Sequence, residues 1–178
     1  MRAIGSFFFL LSLSLSLLPS QTVAGTNSSN LIEHACEHSI HKDLCISSIG
    51  SDPSSKQADL RGLASIAVTL AYKNATNILD RLHGLVNNQT DLEPTVEQGL
   101  DDCADHYLDA AEQLENSLAA LSAKAYPDVS TWVKVAVADA DSCEAAFQGQ
   151  KFEISHKSRV FRQLANNALA IVKVLTEN

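Results

Sequence analysis

From Asp59 to Leu175 apolar residues recur at steps of three and four. That period gathers them along one face of an α-helix. Only seven glycines and four prolines interrupt the chain, so helix is the expected element throughout. Leu60, Leu63, Ala67, Leu70, Ile78, Leu82 and Leu85 predict one long helix from Asp59 to about Asn87, ended by the polar run 87–91. Pro94 suits the first turn of a second helix, which carries Leu100, Cys103, Tyr107, Ala111, Leu114 and Leu118 on its buried stripe. The pattern breaks at Tyr126-Pro127-Asp128. Asp128 is placed to cap a third helix containing Trp132, Val133, Ala136, Ala140, Cys143 and Phe147, with Gly149 as its stop. Ser155 is placed to cap a fourth, with Phe161, Leu164, Ala168, Ile171 and Leu175. Four amphipathic helices with short polar connections predict an all-α fold, an antiparallel up-and-down four-helix bundle. Two short pieces around Cys36 and Cys45 predict an N-terminal helical hairpin, too small to hold in water without a staple or docking.

The basic start Met1-Arg2, the apolar stretch Phe7 to Leu18 and Thr22-Val23-Ala24 predict a secretory signal peptide over residues 1–24. Residues 25–178 are then one domain. Loss of Arg2 takes the charge from 13 − 21 = −8 to 12 − 21 = −9. That balance argues against nucleic acid or an anionic membrane surface as partner. An exported chain with four cysteines, Cys36, Cys45, Cys103 and Cys143, predicts two disulfides. Spacing alone permits three connectivities, of which a local Cys36 to Cys45 staple suits the short separation. Asn27, Asn74 and Asn88 begin N-glycosylation sequons and fit the same route.

The chain has no nucleophile elbow, no His-Glu-x-x-His, no phosphate loop and no dinucleotide-binding glycine motif. No catalytic residue and no cofactor are expected. His34 and His38, four apart, form the one metal-like arrangement. His41 follows, but Cys36 and Cys45 are better explained as disulfide partners than as thiolate ligands, and no metal site is expected. The sharper feature is the second long helix. Eight acids lie between Glu93 and Ala123 with no lysine or arginine among them. Like charges three or four apart on a helix repel slightly, and here no local cation offsets them. Asp105, Asp109 and Glu112 project almost opposite the buried stripe. They form either a solubilising face or a docking strip for a cationic partner. Lys157, Arg159 and Arg162, near the fourth helix start, are weaker candidates for contact with an acidic partner.

Several segments in order resemble the plant invertase and pectin methylesterase inhibitor family. They are the Cys36 and Cys45 pair, Ser51-Asp52-Pro53, Ala58-Asp59-Leu60, Gly62-Leu63-Ala64, Asp102-Cys103-Ala104-Asp105-His106-Tyr107, Thr131-Trp132-Val133, Ser142-Cys143-Glu144 and Leu169-Ala170-Ile171-Val172. The resemblance implies a four-helix bundle with an N-terminal hairpin, disulfides Cys36–Cys45 and Cys103–Cys143, and action by binding an enzyme. In the invertase-directed branch a Pro-Lys-Phe element falls where this chain has Tyr126-Pro127-Asp128. In the esterase-directed branch acids after the third cysteine meet the target, which Asp105, Asp109 and Glu112 match, and a small hydroxyl precedes the last cysteine, as Ser142 does here. The expected function is therefore a secreted inhibitor that occludes the substrate cleft of pectin methylesterase in the cell wall. The alternative target is an acid invertase of wall or vacuole. A structural or storage protein, with the acids serving solvation alone, is the competing class.

Overall fold

The computed structural model describes residues 24–88, 92–147 and 153–177, except the side chains of residues 24–27 and 88. The signal segment up to residue 23, the stop expected at Gly149 and the side chains of Asn27 and Asn88 lie outside the described residues. Within them there are six α-helices, one 3₁₀ turn and no strand. Helices α1 (Ala24–Ala35) and α2 (Lys42–Gly50) precede the 3₁₀ turn Pro53–Gln57. The long helices are α3 (Leu60–Asn88), α4 (Pro94–Ser122), α5 (Tyr126–Ala146) and α6 (Ser155–Glu177). Each long helix packs on its sequence neighbour, and α6 closes the ring against α3, the arrangement of an up-and-down bundle. No helix is long and apolar enough to cross a membrane among the described residues.

The helix starts show how local chemistry sets the boundaries. Asp59 caps α3, its Oδ1 accepting from the Gly62 N–H at 2.7 Å. Gly62 has no space for a larger residue, since a Cβ there would meet the Ala58 Cβ at 2.9 Å. The expected caps of α5 and α6 are corrected. Ala125 stands at the cap position of α5 with no side-chain hydrogen bond, and Asp128 lies inside the first turn. Ser155 is likewise the first residue of α6, not its cap. The reason for the early start of α5 lies in the end of α4. The Ala125 N–H donates to the Ala120 carbonyl at 2.9 Å and the Lys124 N–H to the Leu121 carbonyl at 3.2 Å, a Schellman closure. Lys124 takes the left-handed conformation that closure needs, with φ 58°. The reversal delivers the chain directly into α5. A Cβ-bearing residue in that region costs about 1–2 kcal/mol, a penalty glycine lacks. Lys124→Gly should therefore raise the unfolding free energy by about 1 kcal/mol, read as a higher denaturant midpoint with unchanged slope.

The core runs the length of the bundle. Leu63, Ile78 and Leu82 from α3, Leu100, Leu114 and Leu121 from α4, Val129 and Val133 from α5, and Phe161 and Ile171 from α6 are fully buried. Tyr107 and Phe161 meet edge to face with ring centroids 5.6 Å apart. Burial pushes the Tyr107 hydroxyl up to about 12, while the neighbouring Ser158 hydroxyl and Arg162 lower it. Leu118, expected in the stripe, is only half-buried, while Ser117, Ala120 and Leu121 are buried. The stripe drifts because 3.6 residues per turn does not repeat over seven.

The two disulfides act at opposite scales. Cys36–Cys45 staples α1 to α2 with Cα atoms 5.9 Å apart. Cys103–Cys143 joins α4 to α5 with Cα atoms 4.4 Å apart. No cysteine is free. The hairpin docks on α6 as well. The Ser39 hydroxyl donates to Asn167 Oδ1 and accepts from the His41 N–H, while His38 Nε2 lies 2.7 Å from Glu177 Oε2. Ile32 and Ile49 of the hairpin are buried in the common core.

Candidate functional site

Every turn of α4 carries one edge to solvent, and from Glu97 to Glu115 that edge is acidic. Asp101, Asp102, Asp105, Asp109, Glu112 and Glu115 are exposed, whereas Leu100, Cys103, Tyr107, Ala110 and Leu114 are buried. At about 100° per residue, Asp105, Asp109 and Glu112 point within about 60° of one another. None of the three pairs with a lysine or arginine among the described residues. Leu108, on the same outer side, is 47% exposed. The face thus joins unneutralised carboxylates to an uncovered apolar side chain.

Cys103–Cys143 sets what α5 adds to this face. Because the bond fixes the two antiparallel helices in register, a residue three beyond Cys103 comes opposite one four before Cys143. His106 Nδ1 accordingly lies 3.9 Å from Asp139 Oδ1. Ser142, immediately before the bonded cysteine, is exposed on α5. Asp139 was not among the expected residues, though assuming the cysteine pairing brings its position to α4. Its side chain is largely covered, and its Oδ2 is buried without a hydrogen-bond partner. Burial holds the Asp139 carboxyl above the usual carboxylate range, repulsion from Asp109 adds to this, and His106 pulls the other way.

That shift has a definite sign. A raised value in the folded state means folding favours the neutral acid. The resulting stability is full below the unfolded-state value of about 4 and is lost as pH rises through the folded one. Asp139→Asn should therefore raise the melting temperature at pH 7 and leave it nearly unchanged at pH 3. A lower melting temperature at pH 7 would show the carboxylate to be a net stabiliser instead.

The other candidates separate clearly. Arg162 does not stand free toward a partner. It bridges α6 to α5 through Asp141 Oδ1 at 2.9 Å and the Glu144 carboxylate at 2.9 and 3.0 Å. Burial alone would raise the Glu144 carboxyl, but the hydrogen bond and charge of Arg162 hold it below its ordinary value. Lys157 and Arg159 remain exposed. His34 faces Glu37 at 3.1 Å and His38 faces Glu177, so the two histidines are turned to carboxylates. No group of three or more metal-ligating side chains occurs among the described residues. Tyr126, Pro127 and Asp128 form the first turn of α5 and not a projecting loop. Asn74 lies half-buried on α3.

What the α4 face offers a partner is recognition by charge and shape. The model of the family described as plant invertase/pectin methylesterase inhibitor matches residues 30–171. The chain is 29% identical to the cell wall / vacuolar inhibitor of fructosidase 2 of Arabidopsis thaliana, over 97% of this chain and 98% of that protein. It is 28% identical to the pectinesterase inhibitor of Actinidia deliciosa, over 80% of this chain and 77% of that one. The fold is similar to the crystal structure of a mutant pectin methylesterase inhibitor from Arabidopsis, with a TM-score of 0.66 at 20% identity, covering 78% of this chain and 92% of that one.

Proposed function

The chain belongs to the plant invertase/pectin methylesterase inhibitor family, and we propose that within it this protein inhibits pectin methylesterase by laying the outer face of α4 across the substrate cleft. Asp105, Asp109 and Glu112 would meet cationic groups of the enzyme, and Ser142 would lie at the end of the contact beside Cys143. The single observation carrying this reading is that three exposed carboxylates on one face have no lysine or arginine partner among the described residues. A solvated helix gains from mixed charge, so a one-sign strip is costly unless a partner supplies the other sign. Inhibition would be steric and reversible, excluding the pectin chain, with no cofactor and no covalent step.

Export is part of the same proposal. Residues 1–24 would be removed as a signal, residues 25–178 would form the inhibitor in the cell wall, and Asn27, Asn74 and Asn88 are the candidate glycan carriers. A second reading keeps the mechanism and changes the target to an acid invertase. It is favoured by the likeness to a fructosidase inhibitor over nearly the whole of both chains. Against it stands the first turn of α5, Tyr126-Pro127-Asp128, where the invertase-directed branch carries Pro-Lys-Phe.

The deciding experiment is a paired inhibition assay of the disulfide-bonded mature protein against a plant pectin methylesterase and an acid invertase, at mildly acidic pH. Inhibition of the esterase alone is the expected result. Inhibition of the invertase alone would transfer the function to the second target and release the α4 acids from the role given them.

A further inference from the structure

A groove of about 540 Å³ lies between the hairpin loop, α5 and α6. Its size falls within the range of small-molecule sites, roughly 300–1,000 Å³. Lys134 from α5, Lys173 from α6 and His38 from the loop bring basic groups to it, although the chain as a whole carries a net charge of −8. Leu169 and Ala170 form an apolar patch in its lining, and Ile40, 84% exposed, adds an uncovered apolar side chain. Ser130, Asn166 and Thr176 add hydroxyl and amide groups to the same lining.

The folding of the chain does not account for all of these. His38 and Lys173 lie near the carbonyl end of α6 and complement its dipole, and Glu177 answers both, at 2.7 and 3.7 Å. Lys134 is different. It stands more than a turn inside α5, is exposed, and pairs with no carboxylate among the described residues. Surface pairs such as Lys173–Glu177, with side chains 58% and 49% exposed, are weakly held and open to exchange.

We infer that this groove binds a short acidic oligosaccharide, its carboxylates on Lys134 and Lys173 and its ring faces on Leu169 and Ile40. The combination of groups selects that class. Carboxylates meet the ammonium groups, sugar hydroxyls meet Ser130, Asn166 and Thr176, and pyranose C–H faces cover the apolar residues. A fatty acid would need an enclosed apolar channel, and this groove is broad and open. A peptide added as a strand would need unpaired backbone groups, and those within α5 and α6 are spent in the helices. The inference goes beyond enzyme inhibition and is independent of which enzyme the α4 face meets.

The test is calorimetric titration of the disulfide-bonded mature protein with trigalacturonic acid, its methyl ester and maltotriose. The acid trimer should bind, and the two neutral trimers should bind at least about tenfold more weakly. The double variant K134E/K173E should lose about tenfold or more of the affinity for the acid trimer, from two exposed charge contacts reversed. Both lysines are exposed, so the variant should stay folded and keep its inhibition of the target enzyme, with a melting temperature lowered only slightly by Glu at 173 beside Glu177 at the end of α6. Equal binding by wild type and variant, equal binding of maltotriose, absence of binding, or binding of laurate or an acidic peptide in place of the trimer would each overturn the inference. Loss of inhibition in wild-type protein would strike the α4 reading and leave this one standing.

Discussion

Conversion of Asp105, Asp109 and Glu112 together to their amides should slow association with pectin methylesterase about ten- to a hundredfold and flatten its dependence on salt. The argument rests on where the charges sit. All three are exposed and pair with no lysine or arginine among the described residues, so they contribute to the field around α4 more than to packing. A field of one sign accelerates encounter by about 10- to 1000-fold at low salt and loses that effect as screening rises. The change should therefore appear chiefly in the association rate, with a smaller change in dissociation for carboxylates at the rim of the contact. Stability should hold or improve slightly, since Asp105 and Asp109, four apart, and Asp109 and Glu112, three apart, repel one another. Binding kinetics at two ionic strengths test this. A charge-matched control, with Glu33, Asp43 and Glu153 made amides, separates the strip from net charge. If both variants slowed equally, the strip would have no special role.

Replacement of Cys103 and Cys143 together by alanine should remove about 4 kcal/mol of stability. The bond closes a loop with a sequence separation of 40, and the entropy of such closure in the unfolded chain scales with the logarithm of loop length. The same relation gives only about 2.5 kcal/mol for the Cys36–Cys45 pair, with its separation of 9. Against a typical total of about 5–15 kcal/mol, the first loss is a large fraction and the second is tolerable. Both cysteines of the longer bridge are fully buried, so their loss also leaves a small void. Guanidinium unfolding of the two double variants gives the comparison. Equal losses for the two pairs would show that loop length does not govern their stabilisation. Loss of the longer bridge should also loosen the register that sets Asp139 against His106, and with it the edge of the acidic face.

The four long helices were legible because their evidence is local: apolar residues three and four apart, Asp59 ahead of Leu60, Pro94 at a first turn. The cap of α5 was not. It depends on Lys124 adopting a left-handed conformation that the residue type does not favour, so a search for glycine finds nothing there. Asp128 was therefore given a role that the reversal had already made unnecessary. The hairpin could be expected from two cysteines, but its docking could not. Ser39 meets Asn167 and His38 meets Glu177 across separations of 128 and 139 residues, and no sequence period links them. Arg162 read as a surface cation for the same reason, its carboxylates being on a different helix. On the candidate face, exposure of Asp105, Asp109 and Glu112 followed from helical geometry alone. Asp139 required the pairing of Cys103 with Cys143, which sets two helices side by side.

The α4–α5 pair is closed at both ends, by the Schellman turn at Ala123–Ala125 on one side and by Cys103–Cys143 on the other. A protease that cleaves after lysine could attack exposed Lys124, in the turn between the two helices. A cut there would nick the chain without parting it, because the two products stay covalently joined through the disulfide. The nicked protein should migrate as one band until reduced and then as two. As long as the bridge is oxidised, α4 can keep its acidic face presented after its own backbone has been broken.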